Sequence, residues 1–357
     1  MIMPFVHWDA ATLARDESHW VLNLSNQAVD ALGTQARLAA ARSDDMLSID
    51  RRTFRLPEGV VQELAQAVAK TQKDHGLVLI RKLPTRELSE LEFRVMCWGM
   101  GLYMGIARPQ NLDAALLTDV RNAAQSDAEY RKLNGRGYNT SAELDFHIDS
   151  GDVVALFCRR TSKAGGRSLI ANSLAICEQL MAEQPALAPL LRQAFPFSYG
   201  GYQVDGRPFY LSPLLDGEDD NLAFRMNRKN IVNGAIQADV ELTLAQADLI
   251  QCLESYAASD RYCYQMALEE GDVQILNNFR VIHSRSAFKD FDAPDERRHL
   301  IRLWLSVPGS QRLPASWAAS YGRVDACSAR GGYRVPVEDR RYVGYVDQQA
   351  ACLGMSA

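Results

Sequence analysis

Apolar residues along this chain follow two rhythms. One recurs every three or four residues. The other recurs every second residue or fills short unbroken runs. The first rhythm predicts a helix from a cap at Ser25 to about Ala41, and another over 57–75. Pro57 stands near the start of the second, Val60, Val61, Leu64 and Val68 form its stripe, and Gly76 ends it. A third helix covers Glu87–Tyr103, where Met96, Trp98 and Met100 read as core. Ser173–Phe195 is helical with breaks at Pro185 and Pro189, and Thr243–Ala258 is amphipathic. The second rhythm predicts strands at 77–83, Leu116–Val120, Val153–Arg159, Ser168–Asn172, 261–268, VQILNN and RRHLIRLWL. Gly165-Gly166 marks a tight turn. YGGYQVDGRPFYLSPLL reads as a hairpin turned at Asp205-Gly206, and LAFRMNRKNI as a strand carrying Arg225 and Arg228.

Many short strands, Gly and Asp turns and inserted helices together predict a mixed α/β fold dominated by β. The expected core is a double-stranded β-helix (jelly-roll, cupin-like) with flanking helices. Residues 1–56 read as an N-terminal helical extension packed on that core. Residues 57–308 form the main domain, with the jelly roll from about 144, and 309–357 a C-terminal tail packed on the barrel. No internal repeat or low-complexity tract interrupts this plan.

Candidate chemistry concentrates in LDFHID (144–149). His147 and Asp149 are two apart at the end of a strand-like run, so both side chains project to one face. A divalent metal needs more than two ligands. The chain holds six histidines, and His283, in GDVQILNNFRVIHSRSAF, also ends an apolar run; His7 and His19 read as non-ligands. Two histidines and one carboxylate on one side of a metal are the facial triad of non-haem Fe(II) oxygenases, with open positions for a cosubstrate and O₂. The residues alone leave other readings open. A cupin-like protein could hold Zn²⁺, Ni²⁺ or Mn²⁺ on the same ligands, and a metal-free binding module could carry HxD incidentally.

Three segments, HIDSGDVVALFCRRTSKAGGRSLIANS, GDVQILNNFRVIHSRSAF and RRHLIRLWL, resemble the taurine dioxygenase / clavaminate synthase-like family of Fe(II)- and 2-oxoglutarate-dependent oxygenases. The resemblance runs from about Gly76 to Pro308. It implies that His147, Asp149 and His283 bind iron and that Arg298 holds the far carboxylate of 2-oxoglutarate. It places Ser168 on the same cosubstrate, although the Asp149-to-Ser168 spacing is shorter than in taurine dioxygenase itself, and Arg302 on substrate or cosubstrate. The implied reaction is hydroxylation of an unactivated C–H bond of a small molecule, with succinate and CO₂ released. Desaturation and cyclisation are open to the same chemistry. Retention of the Asp149 carboxylate favours hydroxylation over halogenation.

On a strand, residues 298, 300 and 302 share a face, so Arg298 and Arg302 point inward while Arg297 and His299 point outward, unless a bulge intervenes. An inward arginine is costly unless paired, which suggests that a carboxylate visits. A metal cupin of another kind would leave Arg298 unexplained. Tyr138, Asn139 and Thr140 precede the metal strand and are candidate substrate-side residues, because such loops often line sites. Arg225 and Arg228, with Arg302, suit an anionic or amino-acid-like substrate.

Composition narrows the partners. The chain has 357 residues, 47% hydrophobic and 23% charged, with a formal charge of −5 and no long basic run. Nucleic acid is therefore not an expected partner. Seven scattered cysteines without a CxxC suggest reduced thiols and a cytoplasmic protein. Neither a signal peptide nor a membrane span is evident.

Overall fold

The computed structural model describes residues 7–124, 126–132, 135, 137–218, 221–334 and 340–357. A seven-stranded sheet runs through its centre in the order Val21–Asn23, Leu77–Arg81, Val273–Asn277, Val153–Arg160, His299–Ser306. The last of these also carries Ile106–Ala107 and Leu117–Val120. The Val21–Asn23 pairing with Leu77–Arg81 is parallel, and the others are antiparallel. A smaller sheet of Tyr264–Met266, Ser168–Asn172 and Val281–Arg285 packs on one face. These two sheets are the double-stranded β-helix.

Alternation along the strands assigns each face. Val154, Cys158, Leu300 and Trp304 pack towards Ile170, Met266 and Val281 of the small sheet. Val153, Ala155, Phe157, Ile301, Leu303 and Leu305 pack the other way, against Leu64, Phe93 and Met100 of the helices. With both faces covered, the central strands read as unbroken apolar runs rather than as alternation.

The helices start where local chemistry starts them. Ser25 caps Asn26–Ala40 and accepts from the Ala28 amide. Ser89 and Glu92 form a reciprocal capping box on Glu90–Met104. That helix is buried along almost its whole length, so Met96, Trp98 and Met100 are core. Glu58–Thr71 follows Pro57 directly. Asp205 and Gly206 both take positive φ, 51° and 75°, the two-residue turn that suits a twisted hairpin. The hairpin's strands are Ala194–Ser198 and Phe209–Pro213.

Several elements differ from the reading of the sequence. LAFRMNRKNI is a strand only at Ala223–Phe224. The Asn227 side chain then accepts from the Asn230 amide and starts a helix, Arg228–Gln237; capping overrides the alternation there. The helix from Ser173 stops at Glu183, and Phe195 lies in a strand. In 261–268 only Tyr264–Met266 pairs. The N-terminal region does more than coat the core. It supplies the edge strand Val21–Asn23, buries Trp8 and Trp20, and sets the Phe54 ring where a Cβ on Gly99 would fall 2.3 Å from it. Among the described residues no helix is long and apolar enough to cross a membrane.

The C-terminal segment is tied in by a charge pair. Arg330 Nε donates to Asp152 Oδ1 at 2.7 Å, and both side chains are fully buried. The other Arg330 nitrogens donate to carbonyls of Gln311, Val324 and Asp325. Asp152 Oδ2 accepts from the Val307 amide. Removing one partner would leave a buried charge uncompensated, so Arg330→Leu is expected to lower the unfolding free energy by about 3–5 kcal/mol. Urea unfolding followed by fluorescence checks this, and a loss below about 1 kcal/mol would contradict the assignment.

Candidate active site

His147 and His283 face each other as an antiparallel pair. Each backbone amide donates to the other's carbonyl at 2.9 Å, and the ring centroids are 4.5 Å apart. The metal-strand segment is thus fixed against Val281–Arg285 on one side. On the other, the Ile148 amide donates to the Met226 carbonyl. His147 Nδ1 lies 2.8 Å from the Asp145 carbonyl. A carbonyl can only accept, so Nδ1 carries the proton and the Nε2 lone pair is left open.

Asp149 completes the group. Its Oδ1 lies 4.0 Å from His147 Nε2 and its Oδ2 3.8 Å from His283 Nε2. These distances are too long for hydrogen bonds, yet all three ligand atoms fall within 4.8 Å of one another. Asp149 Oδ2 is buried and accepts no hydrogen bond. Asn278 Oδ1 accepts from the Asp149 amide at 3.2 Å and holds the backbone in place. Burial pushes the His283 imidazole down to about 3, with His147 and Arg302 acting in the same direction and Asp149 opposing, so the ring is neutral. Burial would raise the Asp149 carboxyl, but the Arg302 guanidinium beside it outweighs this and holds the group below the usual carboxylate range. A buried carboxylate with an unbonded oxygen, converging with two imidazole nitrogens, is a donor set that fits a divalent metal.

The triad opens onto a cavity of about 170 Å³ that Ser168, Arg298, Arg302 and Tyr138 also line. Arg302 Nη1 is 3.5 Å from Asp149 Oδ2, and its Nε donates to Gln110 Oε1 at 2.8 Å. Its guanidinium carbon lies 5.1 Å from the Tyr138 ring centroid and 4.8 Å from that of Trp304. Ser168 Oγ donates to Gln274 Oε1 at 2.8 Å. Arg298 is buried with Nη1 unbonded. Burial lowers its pKa, with Cys158 and Asp290 opposing.

Other candidates fall elsewhere. Arg228 heads a helix and pairs with Glu254 at 2.6 Å. Arg225 is buried among Phe197, Tyr210, Trp317 and Tyr321 and donates to Tyr210 Oη at 2.7 Å. Neither lines the cavity. Asn139 and Thr140 also lie outside the lining; their carbonyls accept from the Ala123 amide and from Arg285.

Reading the sequence missed Arg285, Gln274 and Lys229. Parity from His283 points to Arg285, and Gln274 is a polar residue among the apolar Val273, Ile275 and Leu276 of a buried run. Lys229, beside the Asn227 cap, enters the cavity because the chain turns into a helix there.

The family model described as Taurine catabolism dioxygenase TauD, TfdA family matches residues 42–304. The chain belongs to this family. It is a non-haem iron, 2-oxoglutarate-dependent dioxygenase. FR-33289 synthase of Streptomyces rubellomurinus is 27% identical, over 87% of this chain and 91% of its own length. The taurine hydroxylase-like protein SAT17 of Stachybotrys chartarum is 26% identical, over 72% and 69%. In fold, asparagine oxygenase with Fe(II), 3-hydroxyasparagine and succinate superposes with a TM-score of 0.60 at 18% identity, covering 80% of this chain and 93% of that one. The oxygenase OrfP with Fe, succinate and (3S)-hydroxy-L-Arg gives 0.57 at 16%, covering 80% and 94%.

A second cluster, Glu90, Asp119 and His299, lies behind the cavity wall. A register shift separates His299 from Leu300. His299 Nε2 is 2.8 Å from Asp119 Oδ1, so the ring is buried rather than turned to solvent. Arg94 pairs with Asp119 at 2.9 Å, and Arg159 and Arg121 pair with Glu90 at 3.4 and 3.7 Å. These carboxylates already have cations. Burial would raise the Asp119 carboxyl, but the His299 bond and Arg94 hold it at about 2. A depressed carboxyl stabilises the fold at neutral pH, and that contribution fades as pH falls from about 4 towards 2. Asp119→Asn is therefore expected to lose about 2 kcal/mol at neutral pH, with the gap to wild type closing in that window. Unfolding midpoints measured across pH check this; a gap that does not change with pH would contradict it.

Proposed function

We propose that His147, Asp149 and His283 hold Fe(II), that Arg298 and Ser168 hold the distal carboxylate of 2-oxoglutarate, and that the enzyme hydroxylates a C–H bond of a small anionic or amino-acid-like molecule. The observation that carries this reading is the convergence of two open imidazole nitrogens and an unbonded buried carboxylate oxygen on the cavity that also contains Arg298. Iron(II) with three protein ligands supplies positions for a chelating 2-oxo acid and O₂, and the oxidising power for C–H cleavage. Overall, R–H, O₂ and 2-oxoglutarate give R–OH, succinate and CO₂.

The chain's own residues bind and orient. Arg298 offers a charge-assisted, bidentate partner to a carboxylate. Arg302, fixed by Gln110 and flanked by Tyr138 and Trp304, stands beside Asp149 and is suited to an anionic group of the substrate. The rings of Tyr138 and Trp304 shield that place from water.

Charge supports an anionic substrate. Among the described lining residues, Lys229, Arg285, Arg298 and Arg302 are cationic, and Asp145 and Asp149 anionic. Iron(II) and the 2-oxoglutarate dianion cancel each other, so the loaded cavity keeps a positive surplus. The amino acids named with asparagine oxygenase and OrfP are compatible with that class.

Anaerobic titration of the Fe(II)-loaded protein with 2-oxoglutarate tests the reading. A weak visible charge-transfer band is expected, and Arg298→Ala should raise the half-saturating concentration at least about tenfold. Bound iron without such a band would contradict the cosubstrate assignment.

A further inference from the structure

We propose that Arg285 is a second arginine of the pocket for the distal carboxylate of 2-oxoglutarate, acting beside Arg298. The inference rests on the cosubstrate site described above and adds a residue to it.

Position comes first. Arg285 ends the Val281–Arg285 strand, two residues beyond His283, and its register partner on the neighbouring strand is Ser168. Arg285, Ser168 and Arg298 all line the cavity. Phe288 contacts both arginines: its ring centroid lies 4.7 Å from the Arg285 guanidinium carbon and 5.0 Å from that of Arg298. Gly166 leaves room for this arrangement, since a Cβ there would come within 3.2 Å of Arg298 Nε and 3.3 Å of Phe288 Cβ.

Uncompensated charge comes second. Each arginine is only 6% exposed. Among the described residues, no carboxylate lies within ion-pairing distance of either. Asp290 acts on both through space only: its Oδ1 accepts from the Arg298 backbone amide, and its Oδ2 accepts no hydrogen bond. Arg285 Nη2 donates to the Thr140 and Ala142 carbonyls. Its Nε and Nη1, and Arg298 Nη1, donate to nothing in the protein. Two neighbouring buried cations with three unbonded nitrogens are unfavourable unless an anion arrives. A carboxylate has two oxygens and can accept from both guanidinium groups. Arg285 is assigned to the cosubstrate because its ladder partner is Ser168 and its ring neighbour also contacts Arg298. Arg302, the arginine beside Asp149, stacks instead on Tyr138 and Trp304.

The Nη2 bonds to Thr140 and Ala142 give Arg285 a structural task as well, so the test must separate the two. Binding is measured anaerobically on the Fe(II)-loaded protein by titration calorimetry, with 2-oxoglutarate and with 2-oxovalerate. The second ligand chelates in the same way but ends in a methyl group. Arg285→Gln is expected to weaken 2-oxoglutarate about ten- to a hundredfold and to leave 2-oxovalerate within about twofold. Intact 2-oxovalerate binding also shows that the variant is folded. Arg285→Lys, which keeps a charge but loses the fork, is expected to fall between wild type and Arg285→Gln. Equal weakening of both ligands, or no change in either, would overturn the assignment and leave Arg285 as a clamp on residues 140–142. Wild type that does not prefer 2-oxoglutarate, or Arg298→Gln that binds it normally, would overturn the whole cosubstrate site, Arg285 included.

Discussion

A carboxylate oxygen buried without a hydrogen bond is the constraint on which the rest of this structure turns. Left alone, Asp149 Oδ2 would cost several kilocalories per mole, since an ionised group out of water needs a partner. The fold tolerates it because Asn278 fixes the Asp149 backbone, Arg302 stands 3.5 Å away, and two imidazole nitrogens approach from the paired strands. Arg302 pairs with the charge, yet nothing in that set donates a hydrogen bond to Oδ2, and the proposed iron would take that place.

The two-sheet architecture is what holds this arrangement. The large sheet is covered on one face by helices and on the other by the small sheet, so strand parity is strongly specified. Slipping either sheet by one residue would turn Arg298, Arg302 or His283 out of the cavity. The Asp152–Arg330 pair ties the C-terminal segment to the strand entry just beyond Asp149, and Val21–Asn23 extends the same sheet at its far edge. Both terminal regions therefore contribute to the barrel that carries the site.

Much of this was legible in the chain. HxD two residues apart and a histidine after the next apolar run follow from a period of two, whereas Arg298 and Arg302 both line the cavity although a register shift lies between them. What the chain did not disclose depends on contacts distant in sequence. Arg225 and Arg228 looked alike in LAFRMNRKNI, yet one is enclosed by rings from three other segments and the other heads a helix. His299 was expected to face outward, and it does not line the cavity. The ring meets Asp119 of the adjacent Leu117–Val120 strand and is buried there instead. Arg285 was legible by parity but masked by the stronger signal of His283 beside it.

The most direct measurement is anaerobic equilibrium dialysis of Fe(II) against the wild type, Asp149→Ala and Asp119→Asn. The last variant probes the other His–carboxylate cluster, whose acids are already paired with arginines. One tightly held iron per chain is expected in the wild type and Asp119→Asn, and its loss in Asp149→Ala. Iron retained by Asp149→Ala, or lost from Asp119→Asn, would contradict the assignment of the metal to His147, Asp149 and His283.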